Sequence, residues 1–305
     1  MLMRLMSLIF LILSLTNCTR SHEGSMAPPM RASKLFTRVA VNGNIDVTLS
    51  TGSKPRVLLH GDLRSMPDVK IVSKNGTLYV ILGKGYPRFG RVRAEIRTGH
   101  LTSFEYHGSG KVTANNLQSG MLDLKIDNKG PTTINGKIAL RRLLIAGSGD
   151  TQISGITGHM CQIQLTGTPK VRLAGVIDIT SLKMAGDSQI SLYWIKSNVL
   201  KIRAKDKAFI QMAGVVETLD LILKDKAHFN GRYLRGKDVF VKTFDQSVAD
   251  ICVINTQHTL ASGASNIYFH NLPKMKADFM ARNGSVLDMR EWETPNLKEY
   301  TRYNR

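Results

Sequence analysis

From residue 101 onward, apolar and polar positions alternate in short runs, and the runs return at a nearly constant interval. Val112, Ile134, Ile153, Val171, Ile190, Ile210, Phe229, Val248, Ile267 and Val286 are separated by 22, 19, 18, 19, 20, 19, 19, 19 and 19 residues. Four positions before them stand Gly108, Gly130, Gly149, Gly167, Gly186, Asp206, Asp225, Phe244, Gly263 and Arg282. Short alternating tripeptides precede these corners, at Phe104, Leu124, Ile163, Leu182 and Leu200. About five residues downstream of the first series, Leu117, Val176, Ile195, Val215, Leu234, Val253 and Leu272 form another apolar column.

Alternation at period 2 with β-branched residues argues for strands rather than helical repeats. A strand-rich unit that recurs every 19 residues or so and turns on Gly or Asp predicts stacked coils with columns of small apolar side chains. The expected fold is all-β: a single-chain parallel β-helix, a right-handed solenoid of about ten rungs over residues 101–289. Aromatic content of 7% fits a core of many Val, Ile and Leu layers.

Residues 35–100 use the same vocabulary less regularly. "TRVAVNGNIDVTLSTG", "PRVLLHGD", "VKIVSKNGTLYVIL" and "RVRAEIRT" read as strands separated by Gly, Asn and Pro turns. They predict either the same coil beginning with looser turns that cap its end or a separate small β-domain. At the other end, residues 290–305 break the repeat with Pro295 and carry Trp292, Tyr300 and Tyr303, a cap over the last rung or a tail.

The chain resembles the head GIN domain family, described as "putative auto-transporter adhesin". The resemblance rests on "VAVNGNIDVTLSTG" (Val39 to Gly52), "NGTLYV" (Asn75 to Val80) and the "GSG" of Gly108 to Gly110. It covers nearly the whole chain after the leader and implies a β-helical envelope protein. It implies no catalytic residues.

The leader itself, residues 1–17, has Arg4 followed by an apolar run from Leu5 to Leu15, too short to span a bilayer and built like a secretory signal. Leu15-Thr16-Asn17-Cys18 resembles a bacterial lipobox, in which Cys18 would carry lipid. Asn17 departs from the usual small residue, and an ordinary signal peptide with an incidental cysteine is the alternative. Residues 18–34 then read as lipidated cysteine and tether, with Pro28-Pro29 and no apolar period. The expected location is the bacterial envelope, on the outer membrane.

Charge then narrows the partners. The net charge is +19, and export makes nucleic acid an unexpected partner, so anionic glycans, lipopolysaccharide or lipid head groups are expected. Candidate contacts are the loop residues Arg88, Arg91 and Arg93 and the outward lysines Lys125, Lys183 and Lys201, expected to share one position of the rung. Lysines of this kind also keep flat strands soluble.

Other chemistry is sparse. Asp206 and Asp225 share a column in adjacent rungs, with Asp245 expected one position off, flanked by Lys205, Lys207, Lys224 and Lys226. They could form a carboxylate cluster of a polysaccharide lyase or hydrolase, or could simply cap corners. The histidines lack metal-ligand spacing, and no metal or cofactor is expected. "AGSGDTQISG" (Ala146 to Gly155) suggests a calcium nonapeptide, but that motif recurs every nine residues and this chain every 19 or so. Cys161 and Cys252 fall about four layers apart, too far to bridge. The expectation is a non-enzymatic, adhesin-like binding scaffold, with a glycan-active enzyme and a purely structural envelope component as alternatives.

Overall fold

The computed structural model describes residues 36–270 and 276–289, and the leader, Cys18, the tether, Leu272 and residues 290–305 lie outside the described residues. Seven short strands come first: β1 (Arg38–Asn42), β2 (Ile45–Thr51), β3 (Arg56–His60), β4 (Val69–Lys74), β5 (Thr77–Leu82), β6 (Val92–Thr98) and β7 (Ser103–Gly108). Eight long, bent ones follow: β8 (Val112–Asn128), β9 (Thr132–Gly147), β10 (Asp150–Leu165), β11 (Lys170–Met184), β12 (Gln189–Ala204), β13 (Phe209–Leu223), β14 (His228–Thr243) and β15 (Val248–Ser262). The coil ends with β16 (Asn266–Phe269), β17 (Lys276–Arg282) and β18 (Ser285–Asp288).

Every step from β7 to β18 is a parallel pairing of one rung on the next, so the predicted β-solenoid is the fold. The burial pattern shows where each rung bends. In β12 buried and exposed residues alternate except at two exposed doublets, Tyr193-Trp194 and Asn198-Val199. β10 has equivalent breaks at Ser154-Gly155 and His159-Met160, and its register with β11 shifts at the same points. Each rung therefore has three faces: a first before the first corner, a short second, and a third that leads to the turn into the next rung.

The core columns differ from those the spacing suggested. Val112 pairs with Thr132, not Ile134, and the column runs on through Thr151, Val171, Ile190, Ile210, Phe229, Ala249, Ile267 and Val286. Ile134 and Ile153 belong to the neighbouring inward column, with Ala114, Leu173, Leu192 and Met212. Val248 faces outward, opposite His228, and Ala249 fills its expected place. The cause is the period of 2: an apolar residue two positions away points the same way, so spacing alone does not separate adjacent columns. Val176 and Val215 are a second correction. Both are exposed at the first corner, and Ile177 and Val216 are buried instead.

The turn into the next rung needs a left-handed residue, and Gly147, Gly167, Gly186, Asp206, Asp225, Asp245, Gly263 and Asn283 all have φ between +59° and +90°. Gly, Asp and Asn are the residues that reach this conformation at least cost. Gly147, Asp245 and Asn283 thus stand where Gly149, Phe244 and Arg282 were expected. The interior of the turn is a column of small buried residues, Ser188, Ala208, Ala227, Ser247 and Ser265.

The N-terminal strands join the same coil, out of chain order. β1 lies between β5 and β7, and β2 between β6 and β8, all parallel. The chain thus starts in the second layer, drops to the first through β5 and β6, and returns to the third. β4 and β3 pair antiparallel with β5 and β6. The β4–β5 hairpin turns on Asn75 and Gly76, both at positive φ, as the Asn-Gly signal requires. Tyr106 fastens the layers: its buried hydroxyl donates to the Ile45 carbonyl at 3.0 Å and accepts from the Gly110 N–H at 2.7 Å. Burial pushes that phenol up to about 12.

Candidate functional site: a basic groove on the third face

Outward columns of the third face show where the candidate lysines lie. Lys125 follows Glu105 in register and continues through Leu144, Gln164, Lys183, Arg203, Ile222 and Lys242. Lys201 is not in this column. It pairs with Ser181 below and Asp220 above, two residues along, because "LKI" at Leu200 and "LKM" at Leu182 are offset by two in the true register. Lys125 is engaged by Glu105 at 2.5 Å. Of the three, only Lys183 joins the groove described next.

That groove, of about 390 Å³, crosses β10 to β13. Its floor is apolar, with Leu165, Met184, Ala204 and Ile222, and its cations are Lys183, Arg203, Lys205 and Lys224. Its shape has a simple cause. Lys205 and Lys224 occupy the outward position after Ala204 and Leu223, and in the two rungs below this position holds Ala185 and Thr166, whose short side chains leave a depression. Arg203 is fixed in place: it donates to the Asp220 carboxylate at 2.5 Å and to the Ile202 and Asp220 carbonyls at 2.8 and 2.9 Å. Lys183, Lys205 and Lys224 are exposed. Arg203 and its column were missed in the sequence because the pairing register was misjudged by two.

Next to the groove stands the aspartate corner. Asp206, Asp225 and Asp245 occupy one column in three successive rungs, so Asp245 is in line rather than one position off. Asp206 Oδ2 accepts the Gly186 N–H at 2.9 Å, Asp225 Oδ2 the Asp206 N–H at 3.1 Å, and Asp245 Oδ2 the Asp225 N–H at 3.2 Å. Each carboxylate caps the corner of the rung beneath it. The flanking lysines, Lys205, Lys207, Lys224 and Lys226, are exposed on either side.

Arg88, Arg91 and Arg93 lie at the N-terminal end of the rod, in the β5–β6 loop and at the start of β6, and the structure does not bring them to the groove. Arg91 comes within 4.0 Å of Asp46, Arg93 pairs in register with Asp46, and Arg64 covers the Phe89 ring at 4.6 Å. A further cluster was not read from the sequence. Asp250, on the first face, meets His228 at 3.5 Å, His270 at 3.6 Å and Arg232 at 3.8 Å. His228, Asp250 and His270 come from three successive rungs, so only the exact register reveals the group. Cys161 and Cys252 are buried in β10 and β15, five rungs or about 24 Å apart at ~4.8 Å per rung. Burial pushes the Cys161 thiol up to about 12.

Residues 35–177 match the family model described as "Putative auto-transporter adhesin, head GIN domain". The matched stretch contains the turn motifs that carry the resemblance in the sequence, and it runs from the N-terminal layers into β11. The match stops short of the near-complete coverage expected. Among solved structures, a putative adhesin from Parabacteroides merdae ATCC 43184 is 15% identical, with a TM-score of 0.46, over 87% of this chain and 97% of that one. A putative adhesin from Parabacteroides distasonis ATCC 8503 is 14% identical with a TM-score of 0.45, over 87% and 98%. A putative lipid binding protein from the same strain is 13% identical with a TM-score of 0.42, over 87% and 97%. No curated protein matches the chain.

Proposed function

We propose that this protein is a non-enzymatic, adhesin-like scaffold of the bacterial envelope that holds an anionic glycan or lipid head group on the third face of its coil. The observation that carries the reading is the groove itself: four cations over an apolar floor, of which, among the described residues, Arg203 alone is matched by a carboxylate. Such a site suits a ligand with spaced negative groups and an uncharged body, because charges on consecutive rungs recur every ~4.8 Å. The three neighbouring aspartates support binding rather than catalysis, since each carboxylate already accepts a backbone N–H. In this reading Cys18 carries lipid and tethers the rod to the outer membrane through residues 18–34.

The test is binding of lipopolysaccharide and of a heparin-like polymer at two salt concentrations, for the wild type and for K205A/K224A. The double variant is expected to bind several-fold more weakly and to show a shallower salt dependence, as fewer counterions are released. Equal binding by both proteins at low salt would remove the groove from the function.

A further inference from the structure

Among the described residues from 101 to 270, eight large apolar side chains are exposed: Met121, Met160, Val176, Tyr193, Trp194, Val199, Val215 and Phe240. All but Phe240 lie at the two corners that bound the short second face. Val176, Trp194 and Val215 occupy the first corner of β11, β12 and β13, three successive rungs, with Tyr193 beside them. Met160 and Val199 line the second corner of β10 and β12, across a strand of about three residues or ~10 Å.

Met160, at the second corner, has φ +59°, and Trp194 is the bulkier of the two outliers. Its φ is +71°, in the left-handed region, where a bulky residue is a rare outlier. At the same corner Gly155, two rungs below, has φ +74°, whereas Gly175 and Gly214 in the adjacent rungs turn it at +146° and +141°. Glycine would therefore fit this position without strain, yet an indole stands there, 60% exposed. Strain of this kind persists at functional sites.

We propose that this ridge is a second, separate binding surface that seats the rod on an anionic phospholipid bilayer, with Trp194 as its anchor. The ridge follows two outward corners of the coil. Four rungs by one narrow face amount to roughly 200 Å², far below the ~800 Å² per partner of a stable protein interface. A membrane interface asks for neither pocket nor large area. It takes amphipathic Trp and Tyr rings at the headgroup level, apolar neighbours beneath them and cations beside them. Lys196, exposed two residues after Trp194 and paired in register with Val215, supplies the adjacent cation, and the chain as a whole carries +19.

The chain has two tryptophans, so the full chain with W292F reports on Trp194 alone. With vesicles of phosphatidylglycerol and phosphatidylcholine, its emission is expected to shift to the blue and the protein to sediment with the vesicles. W194G is expected to weaken sedimentation roughly tenfold while leaving the thermal midpoint unchanged or higher, since glycine relieves the corner. K205A/K224A is expected to keep the blue shift, which separates this surface from the groove. An unshifted emission with vesicles would overturn the proposal. So would a shift produced by raising protein concentration without lipid, which would assign the ridge to a second copy, or by oligosaccharide alone, which would assign it to a glycan. A lowered midpoint in W194G would mark the indole as structural and overturn it as well.

Discussion

Asp225 Oδ2 accepts a hydrogen bond from the backbone N–H of Asp206, one rung below, at 3.1 Å. Asp225 is itself at φ +60°, and its own N–H is capped in turn by Asp245. One residue thus does two things: it turns its own corner, and it closes the exposed backbone of its neighbour's.

Substitutions at Asp225 should separate these two roles. D225N tolerates the left-handed conformation and keeps an acceptor oxygen, so its unfolding midpoint should stay close to the wild type. D225G keeps the turn and loses the cap. D225A loses the cap and adds left-handed strain, for a cost of about 1–3 kcal/mol in denaturant titration. If D225A matched D225N, the capping role would be wrong.

A second prediction concerns the N-terminal layers. Replacing Tyr106 with Phe keeps the ring and removes the hydroxyl that joins the Ile45 carbonyl to the Gly110 N–H. Both groups are then left unpartnered at a buried site, and Y106F should lose about 1–3 kcal/mol of stability. Hydrogen exchange should show the first effect at Gly110.

Asp250 gives a pH dependence. Burial alone would raise its carboxyl, but the contacts from His228 and His270 and the charge of Arg232 prevail and hold it at about 2. A carboxyl lowered in the folded state stabilises the fold at pH values above its unfolded value near ~3.9, and that stabilisation is lost as pH falls toward about 2. D250N should remove about 2 kcal/mol at neutral pH and should flatten the stability curve between roughly pH 4 and pH 2. A variant with the wild-type acid limb would show that the histidine and arginine contacts do not govern it.

The solenoid was legible in the chain because its cause is periodic. Gly167, Gly186 and Asp206 recur where every rung must turn left-handed, and Ile190 and Ile210 where every rung must fill the same space. The finer register was not legible, since the true steps vary from 18 to 20 residues along the column from Thr132 to Val286. A shift of two leaves every side chain on its own side of the strand, so Lys201 looked equivalent to Lys183 and Ile134 to Val112. The groove needed the register, because Arg203 and Lys183 meet only when the correct residues are paired. Trp194 needed the backbone angle, which no spacing reveals.

The interleaved start of the chain sets a direction for its assembly. β1 and β2 receive strands from later in the sequence on both sides, and Tyr106 locks them from more than 60 residues away. Those long loops must close first. From β8 on, each rung needs only the one before it, about 20 residues back, so later steps resemble the closing of a zipper. A chain that appears in N-to-C order thus completes its seed once the start of β8 has emerged, and everything after that is extension onto a finished template. Deleting a whole rung between β9 and β14 should shorten the rod and leave it folded, whereas disturbing β1 or β2 removes the template on which every later rung is laid.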